Sequence, residues 1–106
     1  MPDSELQFEV ETPLGFRVRV TRSYWEMITT IKHPSMVGRE AGVQAALSDP
    51  DHVRVSRSDP DVLLFYGLEQ PGRWVCAVSK RLGAEGFLIT AYLTDRIKEG
   101  EPLWPK

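Results

Sequence analysis

A single cysteine, two histidines and the lack of any long apolar run set the first limits on this chain of 106 residues. One cysteine cannot close an intramolecular disulfide, and Cys76 lies in the apolar run Trp74-Val75-Cys76-Ala77-Val78, where it reads as a small buried hydrophobe. A reactive thiolate would want a partly exposed, electropositive setting instead. Two isolated histidines and one cysteine supply no metal-ligand spacing, so no metal and no other cofactor is expected. No stretch approaches the roughly 18 apolar residues of a membrane span. The start, Met1-Pro2-Asp3-Ser4-Glu5, has neither a basic nor an apolar leader region, so a cytoplasmic location without membrane attachment is expected. The sequence also lacks a Gly-rich phosphate loop, a Gly-x-Ser-x-Gly elbow and a dinucleotide fingerprint.

Strong charge of one sign is missing as well. The formal net charge is −2, which by itself argues against nucleic acid, because neutralising phosphates is what drives such binding. The distribution qualifies that argument. Between Arg17 and Arg96 lie eleven of the thirteen Lys and Arg residues against nine of the fifteen acids. The acidity gathers at the ends, in Asp3, Glu5, Glu9 and Glu11 and again in Glu99 and Glu101, around a mildly basic middle. The apolar share of 42% and charged share of 26% are those of an ordinary globular protein. A chain of this length closes around one core, so one domain is expected over 1–106, with a core over about 16–98 and a tail over 99–106.

What is present falls into two patterns. Phe8 and Val10, then Phe16, Val18 and Val20, alternate with Glu9, Glu11, Arg17 and Arg19, the period-two signature of half-exposed strands. Thr12-Pro13-Leu14-Gly15 joins them as a hairpin turn. Ser23-Tyr24-Trp25-Glu26 has capping-box spacing, so a helix should start near Tyr24. His33-Pro34 ends it, because the residue before proline is pushed out of the α region. A second helix over about Met36 to Leu47 follows, with Glu40, Val43, Ala46 and Leu47 at helical spacing, stopped by Asp49-Pro50-Asp51. Beyond Pro50 come four β segments, about Val53 to Arg57, Val62 to Tyr66, Arg73 to Arg81 and Phe87 to Thr94. Their short connections favour an antiparallel meander. Asp95 to Gly100 reads as a short terminal helix or turn, and Trp104 as a tail anchor. The expected class is α+β: an N-terminal hairpin and two helices packed on a four-stranded antiparallel meander.

Chemistry, if present, would centre on Phe87 through Thr94. Strand alternation puts Phe87, Ile89, Ala91 and Leu93 on one face, where Phe87, Ile89 and Ala91 are expected to close the core beneath the helices, and Leu88, Thr90, Tyr92 and Thr94 on the other. Three hydroxyls at two-residue steps suit the wall of a polar cleft, although Thr and Tyr are also ordinary strand formers. Ser79-Lys80-Arg81, at the end of the neighbouring strand, could neutralise an anion held there. Arg54 and Arg57 add positive charge, with Arg57 beside the acidic loop of Asp59 and Asp61. His33, next to Lys32 at the helix junction, is of a type able to act as acid or base near neutral pH. His52 reads as an exposed loop residue.

Trp25, Lys32-His33-Pro34, Leu47-Ser48-Asp49-Pro50-Asp51, Val53-x-Val55-Ser56, Asp61, Leu64-Phe65-Tyr66, Val78-x-Lys80 and Ile89-Thr90-Ala91-Tyr92 together resemble the BECR group. These are small phage and bacterial nuclease-like domains of the barnase, EndoU, colicin and RelE kinds, with related uncharacterised domains. The likeness spans about residues 24 to 94. It implies a RelE- or barnase-like fold and a metal-independent, toxin-like endoribonuclease. Its catalytic positions would fall on His33, Lys80, Thr90 and Tyr92, and its substrate contacts on Lys32, Arg57, Arg81 and Thr94. In that scheme His33 deprotonates a ribose 2′-OH for attack on phosphorus, Lys80 and Arg81 stabilise the transition-state charge, and Thr90 and Tyr92 hold the phosphate or protonate the leaving group. The implied partners are RNA and a protein inhibitor or antitoxin. A non-catalytic module binding protein or nucleic acid is the alternative, since fold does not determine function.

Overall fold

In the computed structural model, which describes residues 5–97 and 100–105, the early alternation folds into a hairpin. Strands β1 (Leu6–Glu11) and β2 (Arg17–Thr21) pair antiparallel, with Glu9 opposite Arg19 and Glu11 opposite Arg17 on the exposed side. Phe8, Val18 and Val20 are buried on the other side. Thr12 ties the loop by donating its hydroxyl to the Phe16 carbonyl at 2.8 Å and accepting from the Leu14 amide at 3.2 Å. Gly15 takes φ +87°, where a side chain would be strained.

Helix α1 (Arg22–Met27) begins two residues before Tyr24, and its cap is Thr21 rather than Ser23. Thr21 is the last extended residue of β2, so its Oγ1 can accept from the Tyr24 amide at 3.3 Å. The helix runs on as a π-helical turn (Ile28–Lys32) and breaks at His33, whose φ of −144° and ψ of 81° lie outside the α region that Pro34 disfavours for the residue before it. Pro34–Met36 form a separate 3₁₀ turn, and Gly38, at φ +79°, redirects the chain. Helix α2 therefore spans Glu40–Ser48 and starts later than the expected Met36.

Strands β3 (His52–Val55), β4 (Val62–Gln70), β5 (Arg73–Leu82) and β6 (Glu85–Thr94) run antiparallel in succession. They do not form the expected four-stranded sheet with a separate hairpin. All strands belong to one seven-stranded mixed sheet in the order β1-β2-β6-β5-β4-β3-β7, which overturns the RelE- or barnase-like α+β arrangement expected from the sequence. Two connections make the difference. Strand β2 pairs parallel with β6, through Arg17, Val18 and Arg19 opposite Glu85, Gly86 and Phe87. Strand β7 (Glu101–Trp104), in the segment expected as a tail, pairs antiparallel with β3. The terminal turn expected over 95–100 falls partly on residues 98–99, outside the described residues.

The core lies between the helices and one face of this sheet. Trp25 of α1 meets Phe8 edge-on at 5.8 Å, and Val43, Ala46 and Leu47 of α2 are buried with Leu63, Phe65, Val75 and Ala77. Gly67 lets α2 approach: a Cβ there would lie 3.0 Å from the Ala46 Cβ. Trp104 packs against this core and donates its indole N–H to the Pro50 carbonyl at 3.1 Å. Among the described residues no helix is long and apolar enough to cross a membrane.

Candidate binding face

The key to the opposite face of the sheet is a bulge in β6. Val78 stands opposite Thr90 but Ser79 stands opposite Leu88, leaving Ile89 as the extra residue. Beyond the bulge the expected alternation holds, with Ala91 buried and Leu93 packed on the core. Before it the faces are exchanged. Leu88 is buried at 1% exposure, whereas Phe87, expected inside, is 42% exposed.

At one end of the face, Tyr66, Cys76 and Tyr92 stand in register across β4, β5 and β6. Tyr66 and Cys76 are fully buried, yet they are not part of the main core cluster. The His33 ring lies 5.5 Å from that of Tyr92. Burial first, then the neighbouring Cys76 and Tyr66, push the Tyr92 phenol well above its ordinary pKa, so it serves as a neutral hydrogen-bonding group. Thr90, two residues away, has a buried hydroxyl with no hydrogen-bond partner among the described residues. Thr94 closes a local turn, donating to the Arg96 carbonyl at 3.1 Å and accepting from its amide at 3.3 Å. His52 is half-buried, 5.5 Å from the Trp74 ring, instead of a free loop side chain.

Lys80 is at the other end. It lies four residues from Cys76 along β5, about 13 Å at strand spacing, and its ammonium donates to the Asp59 carboxylate at 2.8 Å. Of the four implied catalytic positions, His33 and Tyr92 are therefore brought together, Thr90 is next to them with a buried hydroxyl, and Lys80 is apart in an ion pair. The implied substrate contacts are scattered. The Lys32 ammonium donates to the Ile89 carbonyl at 3.3 Å and sits 5.6 Å from the Tyr24 ring centre. The Arg81 guanidinium lies 4.8 Å over Phe16, on the core side, and donates to the Gly83 carbonyl at 2.9 Å. Arg57 is exposed in the loop after β3, and Thr94 is in its own turn.

A different group assembles where β2 meets β6. Arg19, Phe87 and Lys80 form one cross-strand row, and Arg17, Glu85 and Leu82 the next row on the same face. Phe87 and Leu82 are thus diagonal neighbours, close enough for long side chains to touch. Leu82 is 57% exposed. Register between β2 and β6 ends at Phe87, and the strands splay. The Ile89 carbonyl, left without a strand partner on that side, accepts from the Tyr24 hydroxyl at 2.8 Å and from Lys32. The fork encloses a groove of about 370 Å³ lined by Arg19, Val20, Thr21, Tyr24, Phe87 and Leu88.

Sequence reasoning missed this groove. Regular alternation placed Phe87 in the core, and nothing local signals the parallel contact that sets Arg19 beside it. Among the described residues no group of three or more His, Cys, Asp or Glu side chains is placed to hold a metal. No family model matches the chain, and comparison with curated proteins and with solved structures finds no match.

Proposed function

We propose that this protein is a non-catalytic module that binds another protein through the sheet face around the β2–β6 fork, in a cytoplasmic setting. The observation that carries this reading is the pair Phe87 and Leu82, two large apolar side chains exposed side by side and flanked by Arg17 and Arg19. Helices α1 and α2 pack on the other face, so burial within the fold does not account for them. Apolar anchors ringed by arginine are the composition of protein interfaces, where aromatic residues and Arg are enriched. The joint variant Phe87→Ala/Leu82→Ala should keep its fold, with stability within about 1 kcal/mol of the parent. In affinity capture from the extract of the source cells, it should lose the partner that the parent retains. Equal retention by parent and variant overturns the reading.

One observation favours a metal-independent ribonuclease as a second reading: His33 lies against Tyr92, bringing an acid–base group to a neutral phenol. Its weakness is Lys80, whose charge is already matched by Asp59. Incubation with single-stranded RNA in EDTA separates the two. The binding reading expects intact RNA; cleavage that disappears in His33→Ala establishes the enzyme instead.

A further inference from the structure

Resting on the protein-binding reading, we infer that the fork between β2 and β6 receives one apolar side chain of an acidic partner segment. In this arrangement Arg19 and Lys32 meet the carboxylates on either side of that anchor. The groove is built for an apolar group. Val20 and Leu88 contribute to its lining, and Phe87 and Tyr24 bring aromatic rings to it. The Tyr24 hydroxyl is occupied by the Ile89 carbonyl, so the ring is held in place and offers its apolar body. A volume of about 370 Å³ is ample for one large side chain, since whole small-ligand sites start near 300 Å³.

Charge selects the flanks. Of the cations around the fork, Arg17 is within 3.9 Å of Glu11 and Lys80 within 2.8 Å of Asp59. Arg19 and Lys32 form no ion pair among the described residues, and Arg19 does not close one with Glu9, its register partner. An arriving carboxylate therefore meets these two. A nucleic-acid strand is disfavoured, because it needs a run of phosphate-neutralising cations. Here Glu9, Glu11, Glu85 and Asp59 lie along the same face. A peptide with a single carboxylate on either side of its anchor needs only the two unmatched charges and does not extend over those acids.

The test is a titration of isotope-labelled protein followed by amide NMR, with the acetylated and amidated peptide Ser-Glu-Phe-Glu-Ser as probe. Shifts should map to Arg19, Thr21, Tyr24 and Leu88. Binding should weaken about tenfold when the central Phe is Ala, and about tenfold in Arg19→Glu. The Arg19→Glu protein should in turn prefer the peptide whose acids are replaced by Lys, a reversal that loss of structure would not produce. The inference is overturned by equal binding of the Lys-flanked peptide to the parent, by shifts elsewhere, by no shifts at millimolar peptide, or by a uridine decamer perturbing these amides more strongly. Partner capture that depends on Phe87 and Leu82 but not on Arg19 would overturn this inference and leave the protein-binding reading standing. Capture indifferent to all three would overturn both.

Discussion

Lys80 shows how one neighbour redirects a side chain. Asp59 accepts from the Lys80 ammonium and from the Asp61 amide at 2.9 Å. These bonds, led by Lys80, hold the Asp59 carboxyl below its ordinary pKa, and the same contact raises Lys80 above its own. The signs define a window. The depressed Asp59 contributes stability above its unfolded pKa, about 4, which is lost as pH falls through the folded value. The raised Lys80 contributes below its unfolded pKa, about 10.4, and its share is lost as pH rises through the folded value. Between those limits the contribution is flat. Asp59→Asn should return the Lys80 titration, followed by NMR of the side chain, toward the ordinary lysine range, without adding a slope to stability between about pH 5 and 9. Ser79 presents the converse situation. Its hydroxyl is buried opposite Leu88 with no hydrogen-bond partner among the described residues, so Ser79→Ala should leave stability unchanged or raise it by up to about 1 kcal/mol in denaturant unfolding. A loss larger than that contradicts the assignment.

At the scale of elements, alternation and breakers made much of the fold legible. The Thr12-to-Gly15 turn, the break at His33-Pro34 and the four central strands lie close to where the pattern put them. The misses have physical causes. Thr21 and Ser23 are both chemically able to cap a helix, and only the extended backbone of Thr21 decides between them. The bulge at Ile89 leaves no mark on the residue pattern, since Phe87-Leu88-Ile89 is apolar at every position. This is why the exchange of Phe87 for Leu88 went unread, and with it the groove. The packing of α2 on β4 and β5 was legible only in part: Val43, Ala46 and Leu47 named the buried stripe, but not the glycine beneath it. Gly67→Ala should push α2 outward at a cost of about 1–3 kcal/mol, read as a lower midpoint in urea. An unchanged midpoint would mean that the helix moves freely.

For the whole molecule, what eluded the sequence is long-range. The parallel contact of β2 with β6 joins distant segments through three register pairs, and β7 carries Pro102, which argues locally against a strand. Both contacts extend the sheet beyond the meander, and Trp104 fastens the second one. Trp104→Ala removes a half-buried indole and its hydrogen bond to Pro50. It should cost about 2–3 kcal/mol, with the loss concentrated in the protection of β3 amides from hydrogen exchange. Uniform loss across the sheet would instead show that β7 belongs to a single cooperative unit.

The splayed fork also bears on how these molecules behave in a crowded solution. An open strand edge can template pairing with another chain, and proteins usually blunt such edges with charge, proline or short length. Here β1 carries Glu9 and Glu11, β7 is four residues long with Pro102, and the inner edge of β6 is stoppered by Tyr24 and Lys32 on the Ile89 carbonyl. Removing both stoppers, as in Tyr24→Phe/Lys32→Ala, should lower the melting temperature little, yet raise the rate of aggregation followed by light scattering. The two donors would then be guarding colloidal behaviour more than the free energy of folding.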